Sequence, residues 1–247
     1  LDRIDDETLR EMIPDDLVLA NRARGMTPDR PTIRGTAQNP DVYFQGREAA
    51  NPLYIKTPEI VQAEMDRFAK LTGRQYHLVD YVGDKNAENV IVAMGSAVET
   101  IEETMAHMPA NVGLIKIHLY RPFPVDAFLA ALPQTVKRIA VLDRTKEPGA
   151  IGEPLYQDVK TIVGDRADVF GGRYGLGSKE FKPRDVKAVI ENLMLGTLTH
   201  NFTVGIDDDL TGLSLKTDPA FAIEDPNFKT AVLYGIGSDG TVGAVKN

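Results

Sequence analysis

The sequence predicts an α/β fold built as a three-layer, doubly wound and mostly parallel sheet. Between about residues 57 and 195, short apolar runs alternate with stretches in which apolar residues recur at helical spacing. The runs at 89–94 and 138–143 are apolar at nearly every position, which is typical of interior strands covered on both faces. A further run at 230–235 predicts that a second α/β domain starts near the end of the chain.

Residues 1–50 are expected to form mostly an arm. A short helix is predicted at about 6–13, and the prolines that follow should interrupt any further helix, at Pro14, Pro28, Pro31 and Pro40. The stretch RGTAQNPDVYFQ at 34–45 combines turn-forming residues with two adjacent aromatics. We interpret it as an ordered, non-repetitive segment that packs against another part of the protein.

Residues 51–198 are expected to form the main domain. Its first helix should have Thr57 as N-cap and Pro58 in the first helical position, and should end at Gly73. Strands are then expected at 77–81, 89–94, 112–119, 138–143 and 167–171. Helices are expected between and after them at 98–108, 125–132, 153–163 and 183–195.

Residues 199–247 are interpreted as the truncated start of the second domain. A strand-like run at 202–206 precedes three aspartates, and the strand at 230–235 leads into a glycine-rich loop. A helix should follow such a loop, and it is expected to lie beyond residue 247.

Composition limits the possible partners. The net charge is −8, and no sustained basic patch is present, so nucleic-acid binding is not expected. The longest apolar runs have the length of strands rather than the ~20 residues of a membrane span, and the first residues are charged. A cytoplasmic protein with no membrane partner is therefore expected.

The residues of classical metal and thiol chemistry are scarce. The chain contains no cysteine, which excludes disulfides, thiol catalysis and cysteine-ligated zinc or iron–sulfur sites within it. The four histidines fall in no metal-binding pattern. We therefore expect no metal site and no catalytic residue in this chain.

The loop after the last predicted strand is the strongest candidate site. Glycines at 235, 237, 240 and 243 would let backbone N–H groups approach a phosphate closely, and Lys246 could add a positive charge. The spacing matches neither the P-loop nor the dinucleotide-binding pattern. Spacing alone leaves a ligand-free structural turn as an equal alternative.

Four other motifs favour structural roles. Ser96 and Glu99 are interpreted as a capping box rather than a phosphate site. The loop 143–149 is expected to be a self-satisfied ion-pair loop or a contact with another domain. The loop 171–179 is expected to dock on a neighbour through Tyr174 and Leu176. The aspartates at 207–209 are expected to be solvated or capping residues rather than metal ligands.

Several stretches resemble the pyruvate:ferredoxin (flavodoxin) oxidoreductase family. They keep one order along nearly the whole chain and include RGTAQNPDVYFQ at 34–45, LDRTKEPG at 142–149, GGRYGLGSKEF at 171–181 and YGIGSDGTVGA at 234–244. The resemblance implies an internal piece of a larger enzyme. Residues 51–198 would form a domain similar to the C-terminal domain of transketolase, and residues 199–247 would open the domain associated with coenzyme A.

The resemblance also implies chemistry for the parent enzyme. Such an enzyme decarboxylates a 2-oxo acid, most simply pyruvate, oxidatively with coenzyme A and passes the electrons to ferredoxin or flavodoxin. It uses thiamine diphosphate and [4Fe–4S] clusters, and it is a multidomain dimer. This chain would act as a scaffold, and a ligand-free contact module and a relative acting on another 2-oxo acid remain the alternatives.

The resemblance places coenzyme A at the glycine-rich loop. The implied contact residues are Gly237, Ser238, Asp239, Gly240, Thr241, Val242 and Lys246. One position departs from the family pattern, because Val245 stands where the family usually has asparagine. The missing amide implies either a lost hydrogen bond to the ligand or only a changed helix start.

Overall fold

The fold is a six-stranded sheet between two layers of helices, preceded by a largely exposed helical arm. The computed structural model describes residues 3–33, 35, 37–108, 111–195, 198–206, 210–223, 227, 229 and 231–246. The strands are β1 (Val79–Gly83), β2 (Asn89–Met94), β3 (Val112–Ile117), β4 (Arg138–Asp143), β5 (Asp168–Arg173) and β6 (Phe202–Thr203). The helices are α1 (Asp6–Met12), α2 (Asp15–Ala23), α3 (Pro40–Glu48), α4 (Asn51–Thr72), α5 (Ala97–Ala106), α6 (Val125–Ala131), α7 (Pro154–Val163), α8 (Pro183–Met194) and α9 (Thr241–Lys246).

The sheet has the strand order β1-β3-β2-β4-β5-β6. Strand β1 is antiparallel to β3, and all the other neighbouring pairs are parallel. From β2 the chain passes to β3 on one side and returns to β4 on the other, so the strand order reverses between β2 and β4. The predicted doubly wound and mostly parallel sheet is confirmed.

Alternate side chains of the central strands pack into two separate hydrophobic cores, one on each face of the sheet. On one face, Ile91 and Leu142 pack with residues of α5 and α8. On the other face, Val92 and Val141 pack with residues of α6 and α7. Because both faces are covered, β2 and β4 are apolar along their length, as the sequence indicated.

The arm is more helical than expected. The predicted helix at 6–13 is present as α1, and the chain leaves the helix before Pro14, as expected. A second helix, α2, nevertheless starts directly after Pro14, whose carbonyl accepts the N–H groups of Leu17 and Val18. The stretch 34–45, expected to be non-repetitive, contains most of α3, since Pro40 lies in the first turn, where its missing N–H costs nothing.

Helix α4 begins six residues before its predicted cap. Pro52 occupies its first turn, and Pro58 lies inside the helix. The Thr57 hydroxyl does not cap the helix but donates to the carbonyl of Leu53 at 2.8 Å. The prediction of a start at Thr57 is therefore wrong, whereas the end at Gly73, with φ of 75°, is confirmed.

The C-terminal segment also differs from the prediction. Within the strand expected at 230–235, the described residues 231–235 pair with no other described segment. An apolar run becomes a strand only when a neighbouring strand accepts its backbone hydrogen bonds. The helix expected beyond the chain begins within it, as α9.

The remaining boundaries differ by a few residues. Strand β6 pairs with β5 and lies beyond residue 198, the expected end of the main domain. The proposed division at residues 50 and 198 stays a prediction. Among the described residues, no helix is both long enough and apolar enough to cross a membrane.

Candidate functional site

The glycine-rich loop forms a compact turn at the start of α9. Gly237, Ser238 and Gly240 have φ of 86°, 53° and 82°, all in the left-handed region that favours glycine. Glycine occupies two of these three positions. Gly235 has another reason to be glycine, since a Cβ there would lie 2.6 Å from the Thr241 hydroxyl oxygen. The loop therefore has a defined shape.

Asp239 organises this turn. Its carboxylate accepts the backbone N–H of Ile236 at 2.9 Å and that of Thr241 at 3.0 Å. Its hydrogen bonds from Thr241, followed by that from Ile236, lower the pKa of the carboxyl below its usual value. Two of the loop's N–H groups are thus already occupied, and Asp239 acts as the organiser of the loop.

The other N–H groups of the turn remain available. Within the part of the chain that the structure describes, those of Gly237, Ser238 and Gly240 donate to no acceptor. Successive N–H groups left unpaired by such a turn are suited to an anion.

A cavity of about 630 Å³ adjoins the turn. Loop residues from Gly237 to Val242 line it, together with the apolar side chains of Ala231, Leu233 and Val245. The structure thus brings together six of the seven predicted contact residues. For the seventh, Lys246, it describes the backbone but not the side chain.

The predicted capping box at the start of α5 is absent. Ser96 has helical backbone angles, φ −62° and ψ −19°, and its hydroxyl makes no capping hydrogen bond. A side chain caps a helix only from an extended backbone conformation, so the interpretation of Ser96 with Glu99 as a capping box is wrong.

The loop 143–149 is not a self-satisfied ion-pair loop. Asp143 is buried and accepts the N–H groups of Leu155 and Tyr156, at 3.0 and 3.1 Å, from the first turn of α7. Burial raises the pKa of Asp143 to about 6, although these two hydrogen bonds oppose the rise. The loop is held by neighbouring elements rather than by its own charges.

A buried ion pair that the sequence did not predict fixes the far end of this loop. Glu153 accepts from Arg173 at 3.3 Å and from the N–H of Glu147 at 2.8 Å. Arg173 also donates to the carbonyl of Asn201 at 2.8 Å. The only sequence signal was an arginine directly after the apolar and glycine residues VFGG at 169–172.

In the loop 171–179, Tyr174 packs in the core of the sheet, whereas Leu176 is half-buried and its docking on a neighbour stays a prediction. Tyr174 is 5% exposed, and its ring lies 4.7 Å from that of Phe181. The expectation that Tyr174 contacts a neighbour is therefore wrong, because its side chain completes the core under α8. The aspartates at 207–209 lie outside the described residues.

Fold and loop define a doubly wound α/β domain followed by a candidate anion-binding turn, and comparisons with known proteins agree with that fold. The family model of the pyruvate:ferredoxin oxidoreductase core domain II matches residues 87–186, from the β1–β2 turn into α8. The pyruvate-flavodoxin oxidoreductases of Trichormus variabilis and Rhodospirillum rubrum are each 55% identical over 98% of this chain. The pyruvate:ferredoxin oxidoreductase of Moorella thermoacetica is 52% identical over 100% of it.

This chain belongs to the pyruvate:ferredoxin (flavodoxin) oxidoreductase family. It spans about a fifth of the length of these curated relatives, 21% of the first and 22% of the other two. The predicted family is therefore confirmed, and the match covers only a segment of these relatives.

Proposed function

We propose that this chain is a scaffold segment of a pyruvate:ferredoxin or pyruvate:flavodoxin oxidoreductase and supplies part of its coenzyme A site. The parent enzyme converts pyruvate and coenzyme A to acetyl-CoA and carbon dioxide and passes two electrons to ferredoxin or flavodoxin in the cytoplasm. The identity to relatives of that name over 98% of the chain supports this proposal.

The observation that carries the coenzyme A assignment is the unpaired N–H groups of Gly237, Ser238 and Gly240 beside a cavity. A phosphate of coenzyme A would accept from these groups, and the apolar wall would contact the rest of the ligand. Lys246 would pair with a further phosphate. Val245, 50% exposed on that wall, would replace an amide hydrogen bond with apolar contact.

The parent's resident cofactors do not fit residues of this chain. Iron–sulfur clusters of this kind are held by cysteine thiolates, and the chain has no cysteine. No group of three or more potential metal ligands occurs among the described residues. We therefore place the ligands of the [4Fe–4S] clusters, and the thiamine diphosphate site, in other parts of the parent polypeptide.

A second role, as a ligand-free contact module, is favoured by the surfaces of the arm and of α4, the helix that follows it. None of the described residues of α1–α4 is buried, and Phe44, Leu53 and Ile55 are each at least 70% exposed. Neighbouring apolar side chains this exposed mark a contact surface. We assign them to contacts with other domains of the parent or with its second subunit in a homodimer.

Calorimetric titration with coenzyme A separates the two roles. We would compare this chain with a longer version that continues through the next domain. Binding by the longer version but not by this chain would place the loop in a site completed by that domain. If neither version binds coenzyme A, the assignment fails and the loop is a structural turn. The chain alone should have no oxidoreductase activity, and turnover by it would contradict the scaffold role.

A further inference from the structure

A second cavity lies where the strand order reverses, far along the sequence from the glycine-rich loop. It has a volume of about 320 Å³ and lies beyond the carboxyl ends of β2, β4 and β5. Its walls include Ser96 and Ala97 after β2, Arg144 after β4, and Gly175 and Lys179 after β5. We call it the switch-point crevice. Open α/β sheets bind their ligands at this position, since the connections from the two central strands diverge there.

Side chains alternate between the two faces of strand β4, and this alternation places one cation at the crevice. Asp143 faces α7, and the next residue, Arg144, therefore faces the opposite layer, where α5 begins. The Nε of Arg144 donates to the carbonyl of Gly175 at 3.1 Å, which holds the guanidinium in place. The remaining guanidinium nitrogens donate to no other described residue, so they are available for a ligand.

The charge in the crevice is positive. Arg144 and Lys179 each lack a carboxylate partner among the described residues. One carboxylate, that of Glu180, lies on the wall, but it is bound by Lys182 at 2.7 Å. The N-terminus of α5, a helix of ten residues, adds favourable potential for an anion, which Glu99 in its first turn partly offsets. Both cations are exposed to solvent, so an anion that enters the crevice can reach them.

The buried charges nearby keep this arrangement rigid. Glu153, Arg173 and Asp143 fix the two ends of the loop from which Arg144 projects. At Gly175, with φ of 64°, a Cβ would lie 3.1 Å from the Nε of Arg144. Only glycine therefore lets the arginine lie against the backbone there. Arg144 is positioned before any ligand arrives, which reduces the entropic cost of binding.

From this geometry we infer that the switch-point crevice binds the phosphate group of a small molecule, independently of the glycine-rich loop. The guanidinium of Arg144 matches two phosphate oxygens, Lys179 supplies a second charge, and the Ser96 hydroxyl lies within the same wall. The cavity is large enough for a phosphate and a few further atoms. A neighbouring cavity of about 390 Å³ shares Lys179 and contains Lys146, so it would accept the remainder of a larger phosphate ester.

Amide chemical shifts of the ¹⁵N-labelled chain test the inference. Inorganic phosphate is titrated at constant ionic strength, with chloride as the replaced anion. We expect saturable shifts at the amides of Ala97 and Gly175. Arg144→Gln and Lys179→Gln should each weaken binding by about tenfold or more, as expected for a lost charge-assisted hydrogen bond. Absence of saturable shifts at these amides would overturn the inference.

Two further variants distinguish binding at a specific site from a non-specific response to the net charge of the protein. Lys85→Gln removes an exposed cation from the β1–β2 turn, at the opposite end of the sheet, and should leave binding unchanged. Gly175→Ala keeps every charge but displaces Arg144, and should weaken binding as Arg144→Gln does. If Lys85→Gln weakens binding as much as Arg144→Gln, the phosphate responds only to net charge and the inference fails.

A parallel titration with a nucleoside monophosphate identifies the source of the phosphate. Tighter binding than that of inorganic phosphate, with added shifts near Lys146, would assign a larger phosphate ester. Equal binding would assign the phosphate group alone. Asp239→Asn, in the glycine-rich loop, should leave the shifts of Ala97 and Gly175 unchanged in both titrations, whatever it does to shifts within that loop. This keeps the crevice distinct from the proposed coenzyme A site.

Discussion

The carboxylate of Glu153 and the guanidinium of Arg173 lie 3.3 Å apart, with side chains only 5% and 11% exposed. Glu153 is the N-cap residue of α7, and Arg173 is the last residue of β5. The pair therefore joins a helix to a strand that lies twenty residues away in sequence, and it supports the loop between β4 and α7.

Removal of one partner of this ion pair should lower the free energy of unfolding far more than removal of one partner of a surface ion pair. Arg173→Met leaves the Glu153 carboxylate buried without its cation, and we expect the free energy of unfolding to fall by about 3–5 kcal/mol. The matched control is Lys137→Met, since Lys137 and Glu88 pair at 2.6 Å with side chains 65% and 51% exposed. That change should cost at most about 1 kcal/mol. Urea denaturation measures both values, and equal losses would show that burial does not decide the cost.

Asp143 should make stability depend on pH. Its pKa is raised from 3.8 to about 6 in the folded state, so the folded chain binds more protons than the unfolded chain between those values. The stabilisation that comes from binding this proton is present at low pH, and it is lost as pH rises through about 6. Between pH 5 and 8, the wild type should lose on the order of 1–2 kcal/mol relative to Asp143→Asn. Denaturation curves of both proteins across this range measure the difference, and a constant difference would contradict the raised pKa.

Gly172 should tolerate no side chain. A Cβ there would lie 2.2 Å from the ring of Phe202, which is fully buried in the adjacent strand. Gly172→Ala should therefore destabilise the chain by about 1–3 kcal/mol through overpacking. Adding Phe202→Leu should recover part of that loss, because the two changes share one space. Thermal unfolding of the single and double variants tests this, and additive losses would show that β6 moves aside instead.

Gly240, which has a positive φ in the candidate loop, should affect the binding of coenzyme A as well as the stability of the fold. In the parent enzyme, Gly240→Ala should raise the KM for coenzyme A by about tenfold or more, because it forces alanine to a φ of 82° next to the proposed phosphate. Gly149→Ala is the control, since Gly149 has φ of 81° and also has open space around its Cβ position. Steady-state kinetics with Tm for each variant separates binding from stability. An equal effect of both substitutions on the KM would count against the loop as a ligand site.

Substitution of Phe44, the exposed aromatic residue of the arm, should show whether the arm contacts another domain or subunit in the parent enzyme. Phe44 is 70% exposed, so Phe44→Ser should change the free energy of unfolding of this chain by no more than about 0.5 kcal/mol. In the parent enzyme the same change should lower the Tm, because it removes apolar area from a contact between domains or subunits. Differential scanning calorimetry of both proteins gives the comparison. An unchanged Tm of the parent would place Phe44 outside any contact.

Sequence reasoning was most successful where local pattern and burial agree. Strands such as β2 and β4 are apolar at nearly every position, and only a strand covered by helices on both faces satisfies that pattern. The ordered motifs along the chain predicted the family. They also predicted a compact turn at 237–242, where glycines adopt positive φ and Asp239 closes the loop. These features depend on residues close together in sequence.

The tertiary structure decided what depends on distant partners. Residues 231–236 are as apolar as a strand but pair with no described strand, since a sheet requires a second chain segment beside the first. Neither Glu153 nor Arg173 indicates its partner, and the neighbouring Asp143 and Arg144 face different layers only once β4 is placed in the sheet. Sequence by itself determined the class of fold, the family and the local shape of its turns. Which charges are buried together, and which are left open toward a ligand, depends on three-dimensional packing, because the energy of a charge is set by the groups around it in space.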